Sequence, residues 1–208
     1  MRHAFEVLAS HSAYRGRIMG LRVDEVSMPG GGSATREVIE HPGAVAVAAV
    51  DDDEQVVLVH QYRHPLRHRL WELPAGLLDV SGEDPAVTAR RELAEETGLA
   101  ARDWAVLVDL APSPGLSDES VRVYLARGLT DGDRLLDTAD EEADLVVQRF
   151  ALADAVRLVL SGEIVNAITV AGILSAHLVC TGAAESRPVD APWPDRPTAW
   201  AAGRSATM

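Results

Sequence analysis

The chain has one cysteine in 208 residues, so no intrachain disulfide can form; a disulfide-stapled scaffold is excluded and a reducing compartment fits. Cys180 lies in an apolar run and reads as a small core residue. Basic charge is scarce as well: 19 Lys and Arg face 32 Asp and Glu, a formal net charge of −13. Such acidity excludes nucleic acid as a partner, because that polyanion must be met by a basic surface. It leaves room for a small anionic substrate, provided a divalent cation and a few placed arginines supply positive charge locally. Long hydrophobic runs are missing too. Residues 1–20 carry scattered charges and histidines with no apolar centre, which argues against a signal peptide. The longest apolar segment, Ile164 to Cys180, is interrupted by Asn166, Thr169, Ser175 and His177 and falls short of the roughly 20 residues a membrane span needs. No membrane role is expected, and the cytoplasm is the expected location.

What is present is ordinary globular material: 47% hydrophobic and 25% charged residues, at a length suited to one core with an appended dimerisation element. Gly20 to Ser27 and Thr35 to Glu40 read as two strands around the turn Met28-Pro29-Gly30-Gly31-Gly32-Ser33. Gly43 to Val50 and Gln55 to Arg63 read as a second pair around the acidic turn 51–54. That turn lacks the central glycine and distal glutamate of a calcium loop. Leu70 to Leu73, Trp104 to Leu110 and Ser120 to Ala126 are further short strands. A helix begins at Asp84-Pro85, with a capping residue and then a first-turn proline, and stops at Gly98. Two more cover about Ala151 to Ser161 and Val165 to Thr181, before an irregular arm rich in proline and alanine. The expected organisation is a β element for dimerisation over 1–40, a catalytic domain over 41–182, and a C-terminal arm over 183–208.

Within the first helix Glu92, Glu95 and Glu96 stand at i, i+3 and i+4, so three carboxylates project from one face near its negative end. Crowded anions repel one another, and such a ridge is better explained as an oxygen-ligand site for a hard cation than as a source of stability. The segment Gly76 to Glu83, seven further residues, and then Arg91-Glu92-Leu93-Ala94-Glu95-Glu96-Thr97-Gly98-Leu99 resembles the Nudix box, GX5EX7REUXEEXGU, with one extra residue between Gly76 and Glu83. The resemblance implies an α+β Nudix fold, a mixed β-sheet sandwiched between helices. It further implies that Glu92, Glu95 and Glu96, with the backbone carbonyl of Ala75, hold magnesium, manganese being the other candidate ion. Arg91 and Glu83 would form a supporting ion pair that orients the loop. The general base would come from the acidic loop Asp140-Glu141-Glu142, with Glu141 first and Glu142 next.

Flanking residues narrow the subfamily. Pro112-Ser113-Pro114-Gly115-Leu116-Ser117-Asp118-Glu119, Gln61-Tyr62-Arg63-His64 and Leu70-Trp71-Glu72-Leu73-Pro74-Ala75-Gly76 are similar to the corresponding stretches of ADP-ribose pyrophosphatases. This likeness implies magnesium-dependent hydrolysis of ADP-ribose to AMP and ribose 5-phosphate. It also implies a homodimer in which an N-terminal β-hairpin element is exchanged between subunits. Arg36 would then reach the other subunit's substrate, Arg63 the phosphate and Glu72 the adenine edge, while Ser117 and Glu119 would meet the terminal ribose or shape the loop. The rival readings are a pyrophosphatase for another nucleoside diphosphate sugar, such as GDP-mannose, and a non-catalytic Nudix-like sensor of ADP-ribose.

Overall fold

The computed structural model describes residues 3–80, 82–132, 144–198 and 200. It divides into two compact units, one built from residues 1–43, 111–120 and 195–208, the other from 44–110 and 121–194.

In the first unit, β1 (Val7–Arg15), β2 (Gly20–Ser27) and β3 (Ser33–Glu40) form an antiparallel sheet in that order. Ser27 opposes Ser33 across the glycine turn, where Gly31 and Gly32 take φ of 81° and 85°, values that favour glycine. β1 is an addition to the expected pair of strands. Its sequence, VLASHSAYR, lacks a clean apolar alternation and all nine residues are exposed, so only its ladder to β2 defines it. Arg22 ties this sheet together, donating from Nε to Asp24 Oδ2 at 2.9 Å and from Nη1 to Glu40 Oε1 at 3.0 Å. The 111–120 segment docks on the end of β3: Ile39 N–H donates to the Leu116 carbonyl at 2.8 Å, and the Asp118 carboxylate accepts from His41 N–H at 2.8 Å.

The second unit holds β4 (Ala44–Ala49), β5 (Gln55–Arg63), β6 (His68–Glu72), β7 (Ala75–Leu77), α1 (Pro85–Thr97), β8 (Leu99–Leu110), β9 (Val121–Asp131), β10 (Val146–Ala151), α2 (Leu152–Ser161), α3 (Ala167–Cys180) and the short β11 (Arg187–Pro188). Two sheets result. A mixed five-stranded sheet runs β11-β8-β9-β4-β7, with β4 and β9 parallel, and a three-stranded antiparallel sheet runs β10-β5-β6. The fold is α+β, as expected, with the sheet between helices. β4 is buried along its whole length because both faces are covered, which explains its unbroken apolar sequence. Val45 and Val47 pack with Ala86, Ala89 and Leu93 of α1 on one side. Ala46 and Ala48 pack with Leu152, Ile173 and Ala176 of α2 and α3 on the other. Full burial of a side chain such as Leu93 contributes about 1.5–3 kcal/mol.

The last segment of this unit lies along the sheet edge. Arg122, almost wholly buried, donates from Nη1 to the Ala191 carbonyl at 2.7 Å and from Nη2 to the Pro192 carbonyl at 2.9 Å, while Nε meets Asp109 at 2.7 Å. Among the described residues, no helix is long and apolar enough to cross a membrane.

Candidate active site on the first helix of the second unit

Local chemistry sets the position of α1. Asp84 caps its start, accepting the Ala86 N–H at 2.8 Å, Pro85 fills the first turn, and Gly98 closes it at φ 71° with its N–H on the Ala94 carbonyl. With Ala86, Ala89 and Leu93 turned into the core, the adjacent stripe carries Glu92, Glu95 and Glu96. Two of these carboxylates are buried: Glu92 is 9% exposed and Glu96 4%. Burial of charge is tolerated where partners meet it, and here they do. Ala75 N–H on β7 donates to Glu96 Oε2 at 3.0 Å. Arg91 donates from Nη1 to Glu92 Oε1 at 2.7 Å and to Glu95 Oε2 at 2.9 Å, and from Nη2 to Glu83 Oε2 at 3.3 Å.

The guanidinium of Arg91 is therefore a hub for three carboxylates. Burial by itself would lower its pKa, but Glu92, Glu83 and Glu95 outweigh that and raise it further above an already high value. The Glu83 carboxyl is held below the usual carboxylate range, chiefly because the Thr88 hydroxyl donates to it at 2.7 Å; burial opposes this and Arg91 adds to it.

Gly76 is the closest approach in this region. A β-carbon there would overlap the Glu92 carboxylate, so β7 and α1 meet in this way only with glycine between them. The sequence reading gave Gly76 no role beyond its place in the motif, and it missed Thr88. A glycine directly ahead of a carboxylate-bearing helix was the available signal for the first; Thr88 carried none.

The second cluster joins Arg63 to Glu72. Arg63 donates from Nε to Glu72 Oε1 at 2.9 Å and from Nη2 to Oε2 at 2.6 Å, a two-point clasp in which Glu72 is buried. Both carboxylate oxygens thus face arginine. Arg36, Ser117 and Glu119 belong to the first unit. Arg36 is exposed and donates to the Thr35 carbonyl at 2.9 Å, and Ser117 Oγ donates to the Ile39 carbonyl at 3.2 Å and accepts the Glu119 N–H at 3.0 Å. Close to them, burial pushes the His41 ring below its ordinary pKa, against the opposing charges of Glu119 and Asp118. Glu141 and Glu142 lie outside the described residues.

Among the described residues, no three His, Cys, Asp or Glu side chains are gathered tightly enough to hold an ion as they stand, Arg91 being bonded to both Glu92 and Glu95. The donor chemistry nevertheless fits a hard divalent cation. Every candidate ligand is an oxygen, Glu92 and Glu96 share one helix face, and the β7 backbone is drawn against both.

A carboxylate ridge on a capped helix, packed on a mixed sheet with helices on both sides, defines a class that the family comparison names. The NUDIX domain model matches residues 40–167, more than half of the chain, and the chain belongs to that family of hydrolases. Enzymes of this family use divalent metal ions. Residues 5–39 match a second model, described as the nucleoside diphosphate sugar hydrolase N-terminal domain. The chain is 56% identical to the ADP-ribose pyrophosphatase of Mycobacterium tuberculosis (strain ATCC 25618 / H37Rv) over 203 residues, 98% of each chain. It is 39% identical to the ADP-ribose pyrophosphatase of Bacillus subtilis (strain 168), over 79% of this chain and 88% of that one. A solved structure described as an ADP compounds hydrolase shares the fold, with a TM-score of 0.75 at 21% identity over 87% of this chain and 96% of that one.

Proposed function

We propose that this chain hydrolyses the diphosphate bond of ADP-ribose, giving AMP and ribose 5-phosphate, with magnesium as its ion. The observation that carries the reading is the 56% identity to an ADP-ribose pyrophosphatase over 98% of each chain, joined to buried carboxylates on one helix face. Glu92, Glu95 and Glu96, with the Ala75 carbonyl, would hold the ion. Magnesium, when bound, supplies positive charge against the diphosphate oxygens and makes water easier to deprotonate. Arg91 and Glu83 fix the helix face, Arg91 bridging the carboxylates and offsetting their repulsion. Glu141, with Glu142 next, takes the proton from the attacking water. Arg63 meets the phosphate and Glu72 the adenine edge, the hydrogen bonds between them holding the guanidinium in place.

The chain acts as a homodimer in the cytoplasm. Phe5, Val7, Leu8, Tyr14 and Ile18 are all exposed on or beside β1 and β2, which is the kind of surface a partner subunit covers. In that arrangement Arg36, Ser117 and Glu119 serve the substrate, Arg36 reaching across to the partner subunit.

The test is a product assay on ADP-ribose and GDP-mannose, with and without chelator, for the wild type and Glu96→Gln. ADP-ribose should be turned over faster, chelator should abolish the activity, and Glu96→Gln should lose about 100-fold or more with its fold intact, a loss of about 2.7 kcal/mol in transition-state stabilisation. Wild-type turnover in that variant would move the ion elsewhere. Binding of ADP-ribose without any turnover would favour the sensor reading.

A further inference from the structure

The face of the β10-β5-β6 sheet turned away from α1 carries a cavity of about 410 Å³, a size suited to a small molecule. Strand alternation separates the two faces: Val57 packs toward α1, whereas Leu58 packs toward α2 and α3, and His60 follows the parity of Leu58. The floor is aromatic and already ordered. His60 and Trp71 stack at 4.4 Å with 22° between their planes, and Phe150 meets Trp71 edge-on at 4.9 Å. Gln148, Glu163 and Arg69 stand among the lining side chains. Arg69 is already paired with Asp144, so its charge is offset. Glu163 accepts the Ser161 hydroxyl at 3.0 Å through one oxygen of a carboxylate that has several acceptor sites.

Each group speaks to one part of a ligand. Aromatic side chains that line a cavity take a heteroaromatic ring by stacking, with little regard to which ring it is. An amide such as Gln148 offers a donor and an acceptor side by side, the pair that matches an adenine edge. A carboxylate such as Glu163 suits the hydroxyls of a ribose. With Arg69 already offset and an acidic chain around it, the cavity favours a ligand of little charge. We propose that this cavity is a second, non-catalytic site that binds a purine nucleoside, with the base against the His60, Trp71 and Phe150 rings, its edge at Gln148 and its ribose at Glu163. The site is separate from the carboxylate ridge and does not depend on the hydrolytic reading.

Calorimetric titration of the chelator-treated full chain with adenosine, AMP and ribose 5-phosphate tests this, using wild type, Gln148→Ala and Glu163→Ala. Adenosine should bind the wild type and each substitution should weaken it about tenfold, in line with the loss of a base-edge or ribose contact. ADP-ribose turnover with magnesium should stay within about twofold of wild type in both variants, since neither residue touches the ridge. Ribose 5-phosphate, which has no base, should not bind this site. Adenosine binding indifferent to both substitutions, or absent at millimolar concentration, would overturn the proposal. So would AMP binding that depends on Gln148 and is tighter than that of adenosine, because the site would then be reading phosphate. Loss of the hydrolytic reading would appear separately, as absent turnover with these binding results unchanged.

Discussion

Gly76 on β7 and Gly172 in α3 both stand where two elements come closer than a β-carbon allows. At Gly172 the intruder would meet the Leu73 side chain and, at 3.2 Å, Val123 Cγ1; at Gly76 it would meet the Glu92 carboxylate. The two contacts grip the same short stretch of chain, Leu73 to Gly76, one from α3 and the other from α1. Next to Gly172, Thr169 Oγ1 accepts the Leu73 N–H at 3.0 Å, so that end is closed by a buried neutral hydrogen bond and apolar packing. Next to Gly76, Ala75 N–H goes to Glu96, so that end is closed by charge. One packing device thus serves the core on one side of the strand and the proposed ion site on the other.

Substitution separates the two uses. Gly76→Ala should displace Glu92 and with it the proposed ion site, lowering kcat/KM for ADP-ribose by about 100-fold, the scale of loss that a misplacement of about 1 Å produces. Thermal unfolding should change little, because Glu92 can swing toward solvent. An active Gly76→Ala enzyme would mean that the close approach has no catalytic purpose. Gly172→Ala should do the reverse. Overpacking against Leu73 and Val123 costs about 1–3 kcal/mol, and replacing a mid-helix glycine returns up to about 1 kcal/mol, leaving a net loss near 1 kcal/mol. Differential scanning calorimetry should show a Tm lower by about 2–4 °C, with kcat/KM within twofold of wild type. A Tm at or above the wild-type value would show that Leu73 moves aside freely and that the comparison fails on the α3 side.

The α1 side of this contrast was legible in the sequence because its determinants are local. Asp84, Pro85 and Gly98 fix both ends of the helix within a residue, and the i, i+3, i+4 spacing puts three carboxylates on one face wherever the helix is placed. The burial of Glu92 and Glu96 was not legible, since it depends on β7, a three-residue strand too short to leave a pattern. Nor was the Arg63 and Glu72 clasp, which arises from the antiparallel pairing of β5 with β6 and not from any motif. β8 and β9 run longer than their alternation implies, to Leu99 and Asp131, because residues 99–103 and 127–131 pair with each other across the two strands. The extra residue falls in the 76–83 loop, where an insertion is readily accommodated.

A further effect concerns the support beneath the ridge, where charge and neutral packing meet in one hydrogen bond. Thr88 is fully buried and its hydroxyl donates to Glu83, whose carboxyl is thereby held below its ordinary pKa. A carboxyl with a lowered folded-state pKa adds stability that is fully present above its unfolded value, about 4.3, and is lost as pH falls through the folded value. Thr88→Val keeps the volume and removes the donor. The variant should be less stable than wild type by about 1.5–3 kcal/mol at pH 7, the usual weight of a hydrogen bond to a charged group. Below about pH 4 the gap should narrow, because Glu83 becomes protonated in wild type as well and the charged partner is lost. Urea unfolding of both proteins at pH 7 and pH 3 measures this directly. A gap of equal size at the two pH values would assign the Thr88 contribution to packing alone, placing it with Gly172 and not with Gly76.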